Sequence, residues 1–278
     1  MSVTLHAMSC GTITLPEGFL LLGAGQAEMQ IPVPAFVIRH PEGTVVFDTG
    51  LEKALGQPEE EATPPERALM RDLAAVSSSA TIGVGEDIAS RLAACEIDAD
   101  RVDFLVNSHL HFDHSGGNAM IRNARLVVQR REWVAGTSDE GKAANHYHAY
   151  NYDLGHDRLE VDGEHDLFGD GTVVCIPSYG HTPGHQSLRV KLDDGEVVLT
   201  SDACALCRSL DEMRVPGAAS PENHDTMLAT FRMFKELQVR GAELVFGHDP
   251  GQWGLINDGT PTPLTASMVA DARRAMGR

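Results

Sequence analysis

Apolar residues fall in short strand-length runs through the first fifty positions and again in the second half, with helix-length stretches between them. In PAFVIRHPEGTVVFDTG two apolar, β-branched runs flank Pro41-Glu42-Gly43, which predicts a hairpin. Residues 52–80 are rich in Gly, Pro and Glu, and an amphipathic stretch over Glu66–Val76 predicts one short helix within a surface loop. Ile88, Leu92 and Ala93 share a face at helical spacing, so a second helix is expected between Gly85 and Cys95. Val102–Asn107 then reads as a buried strand that runs directly into SHLHFDHSGGN.

Beyond that segment, Ala124–Gln129 predicts a strand and Arg131–Gly136 the start of a helix. Residues 137–166 are polar and contain NHYHAYNYD, which reads as an irregular cap. Strands are expected at Thr172–Pro177, Ser187–Leu192 and Glu196–Thr200, the last two joined by an Asp-Asp-Gly turn. Leu228, Phe231, Phe234, Leu237 and Val239 mark a long helix over Asp225–Val239. A strand at Glu243–Gly247 and a helix at Ala266–Met276 complete the pattern. Strand clusters in both halves, each followed by helices, fit two β-sheets packed together with helices outside, in one α/β domain over residues 1–278.

Composition changes that picture in one respect. Hydrophobic content of 42% and charged content of 22% are ordinary for a globular chain, but the net charge is −18. Such a surface repels phosphate backbones and anionic lipid, so neither nucleic acid nor membrane is expected as a partner. A neutral or cationic small molecule remains allowed. The N-terminal segment lacks a basic flank and a secretory apolar core, and the expected location is cytoplasmic. Five scattered cysteines do not form a disulfide framework. Cys204 and Cys207 make a lone C-x-x-C; they read as packing thiols, with metal or redox chemistry as the alternative.

The chemistry concentrates between His109 and His114. Separated by one residue on an extended segment, His109 and His111 point the same way. Asp113 and His114 follow, and Ser115-Gly116-Gly117 lets the chain turn sharply. Three histidines and an aspartate after an apolar strand have no packing rationale, whereas imidazole and carboxylate together suit zinc, iron, cobalt or manganese. With the further His and Asp candidates downstream, six or seven donors exceed one tetrahedral zinc site, so two divalent ions are expected.

SHLHFDHSGGN resembles the defining motif of the metallo-β-lactamase superfamily. FDTG at Phe47–Gly50, GHTPGH at Gly180–His185, SDA at Ser201–Ala203 and GHD at Gly247–Asp249 match the superfamily's other motifs in the same order. The resemblance implies the αββα sandwich, two mixed sheets face to face with helices outside and ligands on loops at one edge. It implies one metal bound by His109, His111 and His181, another by Asp113, His114 and His248, and Asp202 bridging them. Asp48 matches an acid that orients ligand side chains. His185 is not a ligand in that family and is given a structural role. His146 and His148 repeat the H-x-H spacing without a nearby Asp-His and are read as non-ligands.

In such a site the ions lower the pKa of a shared water, and the resulting hydroxide attacks a polarised carbonyl. Asp113 and Asp202 are the carboxylates expected to serve that hydrolysis. IPVPAFVIRHPEGTVVFDTG and GHTPGHQSL resemble the N-acyl-homoserine lactonase branch, which implies a quorum-quenching lactonase with zinc as the foremost metal. Glyoxalase II, with its helical C-terminal region, is disfavoured by the 30 residues after His248, and the tRNA-processing nucleases by the acidic charge. Hydrolysis of another small lactone, an ester or a thioester is the alternative, and a non-catalytic metal-containing sensor a more distant one. A diiron redox member would need a flavin domain for which the chain has no room. The resemblance also points to a homodimer.

The sequence departs from that branch at one position. The lactonases carry a tyrosine three residues after the bridging aspartate, where this chain has Ala205. Tyr147, Tyr150 and Tyr152 are candidates to replace it. Phe112, Met29, Ile31 and residues 19–22 could line a channel for an acyl chain or could simply be core.

Overall fold

A computed structural model describes residues 2–278. Its strands are β1 (Thr4–Pro16), β2 (Glu28–His40), β3 (Gly43–Phe47), β4 (Ser79–Thr81), β5 (Phe104–Val106), β6 (Arg125–Gln129) and β7 (Arg158–Val161) in the first half. They continue with β8 (His165–Asp166), β9 (Val173–Pro177), β10 (Gln186–Leu192), β11 (Gly195–Ser201), β12 (Glu243–Phe246) and β13 (Thr262–Leu264). One sheet runs β13-β1-β2-β3-β5-β6-β7 with β4 paired to β1, and the other runs β12-β11-β10-β9-β8. The two sheets lie face to face with helices outside, the αββα sandwich that the resemblance implies.

Side-chain alternation explains the layering. Val45 and Phe47 point into the space between the sheets, where they meet Val173, Cys175, Leu188 and Val190 of the second sheet. Val46, one residue out of phase, packs on the outer face with Ile88, Leu92 and Trp133 from two helices, Ile88–Ala94 and Arg130–Thr137. Val174 and Ile176 do the same on the far side, against Phe231 and Phe234 of the helix His224–Val239. Each such side chain, fully removed from water, contributes about 1.5–3 kcal/mol of transfer free energy. A sheet covered on both faces needs apolar residues at successive positions, which is why its strands read as continuous runs.

The predicted hairpin is present, with Phe36 opposite Phe47 and His40 opposite Gly43. The long helix differs in one detail: Val239, expected on its apolar face, is 89% exposed. The buried stripe runs through Met227, Phe231 and Phe234, and position 239 has rotated off it.

Residues 137–166 are more ordered than an irregular cap. Ser138 Oγ accepts from Gly141 N at 3.0 Å and starts the helix Asp139–Asn145. That helix ends at His146 in the left-handed conformation, and β7 extends the first sheet parallel to β6. Two short helices, Cys207–Glu212 and Pro250–Ile256, also lie outside the predicted elements. The second had its signal in Asp249-Pro250, an N-cap followed by proline at the first helical position, and Asp249 Oδ1 accepts from Gln252 N at 2.9 Å.

The topology collects the motif loops at one edge. β3, β5, β11 and β12 end at Asp48, at the His109–His114 segment, at Asp202 and at His248 respectively, while the His181 loop joins β9 to β10. β3 and β5 are parallel neighbours, as are β11 and β12, so their C-terminal ends open on the same side.

Candidate metal centre

The seven residues implied as ligands come together. Potential ligand atoms of His109, His111 and His181 form one cluster, those of Asp113, His114 and His248 another, and those of His109, His114 and Asp202 a third between them. Asp202 Oδ1 lies 2.9 Å from His248 Nε2 and 3.2 Å from His114 Nε2, while its Oδ2 lies 3.4 Å from His181 Nε2. The carboxylate therefore faces both halves of the site.

Four of the five imidazoles are turned by a partner on their far side. Asp48 Oδ2 accepts from His114 Nδ1 at 2.8 Å, and Pro32 O accepts from His248 Nδ1 at 2.8 Å. Asn145 O accepts from His111 Nε2 at 2.9 Å, and Ser108 Oγ pairs with His109 Nδ1 at 2.9 Å. In a neutral ring, each of these partners takes the outward N–H and leaves the lone pair on the inward nitrogen. His111 Nδ1 nevertheless lies 2.8 Å from His109 Nε2 and 3.1 Å from His181 Nε2. Lone pairs facing at that distance repel unless a cation sits among them. His114 Nε2 and Asp202 Oδ1 are buried without a hydrogen-bond partner, which an ion would also satisfy. The donor set fits divalent metal.

Electrostatics divides the site. Burial lowers His109 and His181, and lowers His111 to about 3 with help from His181, so this half is neutral imidazole. Burial also disfavours charge on Asp202, but His248, His114 and His181 reverse it and hold the carboxyl well below its ordinary range. Likewise burial opposes charge on His114, and Asp113, Asp202 and Asp48 overcome it and raise the imidazole.

Backbone geometry supports the same loops. Asp48 has φ 59° and Ser201, directly before Asp202, has φ 48°; non-glycine residues in such conformations concentrate at functional sites. Asp48 also accepts from Ser108 N at 2.7 Å and from Ser201 Oγ at 3.3 Å, tying three motifs together. His185 is fully buried, with Nδ1 against Ser178 Oγ at 2.8 Å and Nε2 accepting from Ala203 N at 3.2 Å. It braces the backbone beside Asp202, in keeping with a structural role.

Other expectations resolve individually. His146 and His148 join no metal-compatible cluster among the described residues, and His148 Nε2 faces Asp72 Oδ2 at 3.4 Å. All five cysteines are free, and burial pushes Cys204 up and Cys207 to about 11, leaving them as packed thiols. Two of the tyrosines offered in place of Ala205 are already committed: Tyr147 Oη donates to Glu132 Oε1, and Tyr152 Oη to Gly136 O at 2.7 Å. Tyr150 Oη is buried without a hydrogen bond, beside Glu52, which helps raise its pKa. Ala205 lies in an apolar cluster with Leu20, Leu21 and Ile31, against which Met29 and Phe112 pack. Phe19 and Leu22 instead face solvent, at 37% and 46% exposure.

The sequence profile of the metallo-beta-lactamase superfamily matches residues 30–248. The chain belongs to the metallo-β-lactamase superfamily. With that membership the enzyme class expected from the motifs, a metal-dependent hydrolase, stands. Among superfamily relatives it is 31% identical over 268 residues to the N-acyl homoserine lactonase AttM of Azorhizobium caulinodans, covering 90% of this chain and 95% of that protein. It is 28% identical over 228 residues to the N-acyl homoserine lactonase AiiA of Bacillus thuringiensis subsp. kurstaki, covering 80% and 82%. A solved N-acyl homoserine lactone hydrolase, with the product N-hexanoyl-L-homoserine at its catalytic metal centre, has the same fold. It superposes with a TM-score of 0.75 at 24% identity, over 91% of this chain and 96% of that one. Among the described residues no helix is long and apolar enough to cross a membrane.

Proposed function

We propose that this protein is a dinuclear hydrolase that opens the ring of an N-acyl-homoserine lactone. The carrying observation is Asp202, whose two oxygens face His114 and His248 on one side and His181 on the other. His109, His111 and His181 would hold one ion, Asp113, His114 and His248 the other, with Asp202 shared and zinc the first candidate. The names of the relatives support the choice of lactone.

Bound there, the ions would make water nucleophilic near neutral pH and polarise the carbonyl. The chain's residues do the rest. Asp48, Pro32 O, Asn145 O and Ser108 fix the imidazoles so that no reorientation is needed during reaction. Asp113 is a buried carboxylate, with Oδ2 3.5 Å from His114 Nε2. It would take the proton released by the attacking water and return it to the ring oxygen as the C–O bond breaks. The net change adds one water across the ester bond, giving an acid and an alcohol.

Ala205 favours a second reading, a different small lactone or ester. It offers no hydroxyl where the lactonase branch has one, and two of the three alternative tyrosines donate elsewhere. Metal analysis, followed by turnover of short- and long-chain acyl-homoserine lactones, γ-lactones and S-lactoylglutathione, tests both. About two equivalents of metal with acyl-homoserine lactone opening is the expected result. Opening of other lactones alone selects the second reading, and thioester turnover alone or a metal-free protein overturns both.

A further inference from the structure

Glu132 is fully buried at the start of the helix Arg130–Thr137 and accepts four hydrogen bonds. Oε1 takes Leu110 N at 3.1 Å and the hydroxyl of Tyr147. Oε2 takes Thr182 Oγ1 and Gly184 N, each at 2.9 Å. Leu110 stands between His109 and His111, and Thr182 directly follows His181. One carboxylate thus fastens the two loops that carry these three histidines.

The clamp is closely built. A Cβ at Gly184 would lie 2.2 Å from Glu132 N, so the second glycine of GHTPGH is where the loop meets the helix backbone. Tyr147 adds the cap, and its ring lies 5.4 Å from the ring of His111. The other half of the site is fastened differently, through Asp48 to His114 and Pro32 O to His248. Burial pushes the Glu132 carboxyl above its usual range, while all four donors favour its ionised form.

We propose that Glu132 is a positioning residue for the three-histidine half of the centre, setting the relative placement of His109, His111 and His181 without touching metal or substrate. This rests on the dinuclear reading above. A glutamine cannot reproduce the clamp: its NH2 would meet either Leu110 N or Gly184 N donor to donor. The consequence is selective, because the His114 and His248 supports stay intact.

The test is zinc stoichiometry and affinity under chelator competition, with circular dichroism and the melting temperature of the stripped protein recorded in parallel. Wild type should hold two equivalents. Glu132→Gln should stay folded and keep one equivalent, with the other bound about 10–100-fold more weakly. Its kcat should fall by a similar factor, with a smaller change in KM. A folded variant that keeps both equivalents at wild-type affinity, or weakens both equally, overturns the proposal. Wild type without zinc would instead overturn the dinuclear reading. If Glu132→Gln does not fold, Thr182→Val decides: it removes one donor, and zinc at one site should weaken several-fold. No change there overturns the proposal as well.

Discussion

Asp48 Oδ2 lies 2.8 Å from His114 Nδ1, and that contact joins the loop after β3 to the histidine motif 66 residues later. The same carboxylate accepts from the backbone and hydroxyl of Ser108 at 2.7 and 2.8 Å. Asp48 fixes the His114 tautomer and presents Nε2 inward. Asp48→Asn should therefore lower kcat/KM by about 10–100-fold and weaken metal at the His114 site, read by kinetics and metal titration. Unchanged values for both would show that His114 is oriented without it.

Asp202 faces both halves of the centre, with Oδ1 towards His114 and His248 and Oδ2 towards His181. Asp202→Ala should abolish turnover and leave fewer than two equivalents of metal after dialysis. Retention of both equivalents would remove its bridging role.

Metal removal should destabilise the fold through the same contacts. His111 Nδ1 faces His109 Nε2 at 2.8 Å and His181 Nε2 at 3.1 Å, so losing a cation from among them would leave their lone pairs opposed. Ligand at 100 times its dissociation constant stabilises a protein by about 2.7 kcal/mol. Chelation should lower Tm by several degrees, with recovery on adding zinc; a Tm indifferent to chelator would count against a centre formed by folding.

Tyr152 donates its hydroxyl to Gly136 O at 2.7 Å and is 1% exposed. Tyr152→Phe should cost about 1–3 kcal/mol of stability, seen as a lower denaturation midpoint. kcat and KM should stay at wild type, since this hydroxyl is not available to a lactone. A selective rise in KM or fall in kcat would restore Tyr152 as the substitute for the hydroxyl missing at Ala205.

Gly184 packs on the Glu132 backbone with no room for a methyl group. Gly184→Ala should destabilise by about 1–3 kcal/mol and reduce turnover, because the loop carrying His181 must retreat. Full activity in this variant would mean that the loop has slack.

The reach of the sequence is clear from particular residues. His109-x-His111-x-Asp113-His114 was legible because ligand chemistry is carried by residue type and short spacing, both local. The hairpin at Pro41-Glu42-Gly43 was legible because turn chemistry and flanking β-branched runs are local too. Glu132 was not, since beside Arg130 and Arg131 it reads as an ordinary charge on a helix start. Only the tertiary fold buries it against two loops from 22 and 50–52 residues away. Nor could the sequence assign the tyrosines, since the hydroxyls of Tyr147 and Tyr152 are bound by acceptors on a neighbouring helix. What the sequence determined by itself was the kind of chemistry and the order of its parts. What the tertiary structure decided was which second set of residues holds those parts in place, because hydrogen bonds across loops depend on distances in space that residue spacing does not encode.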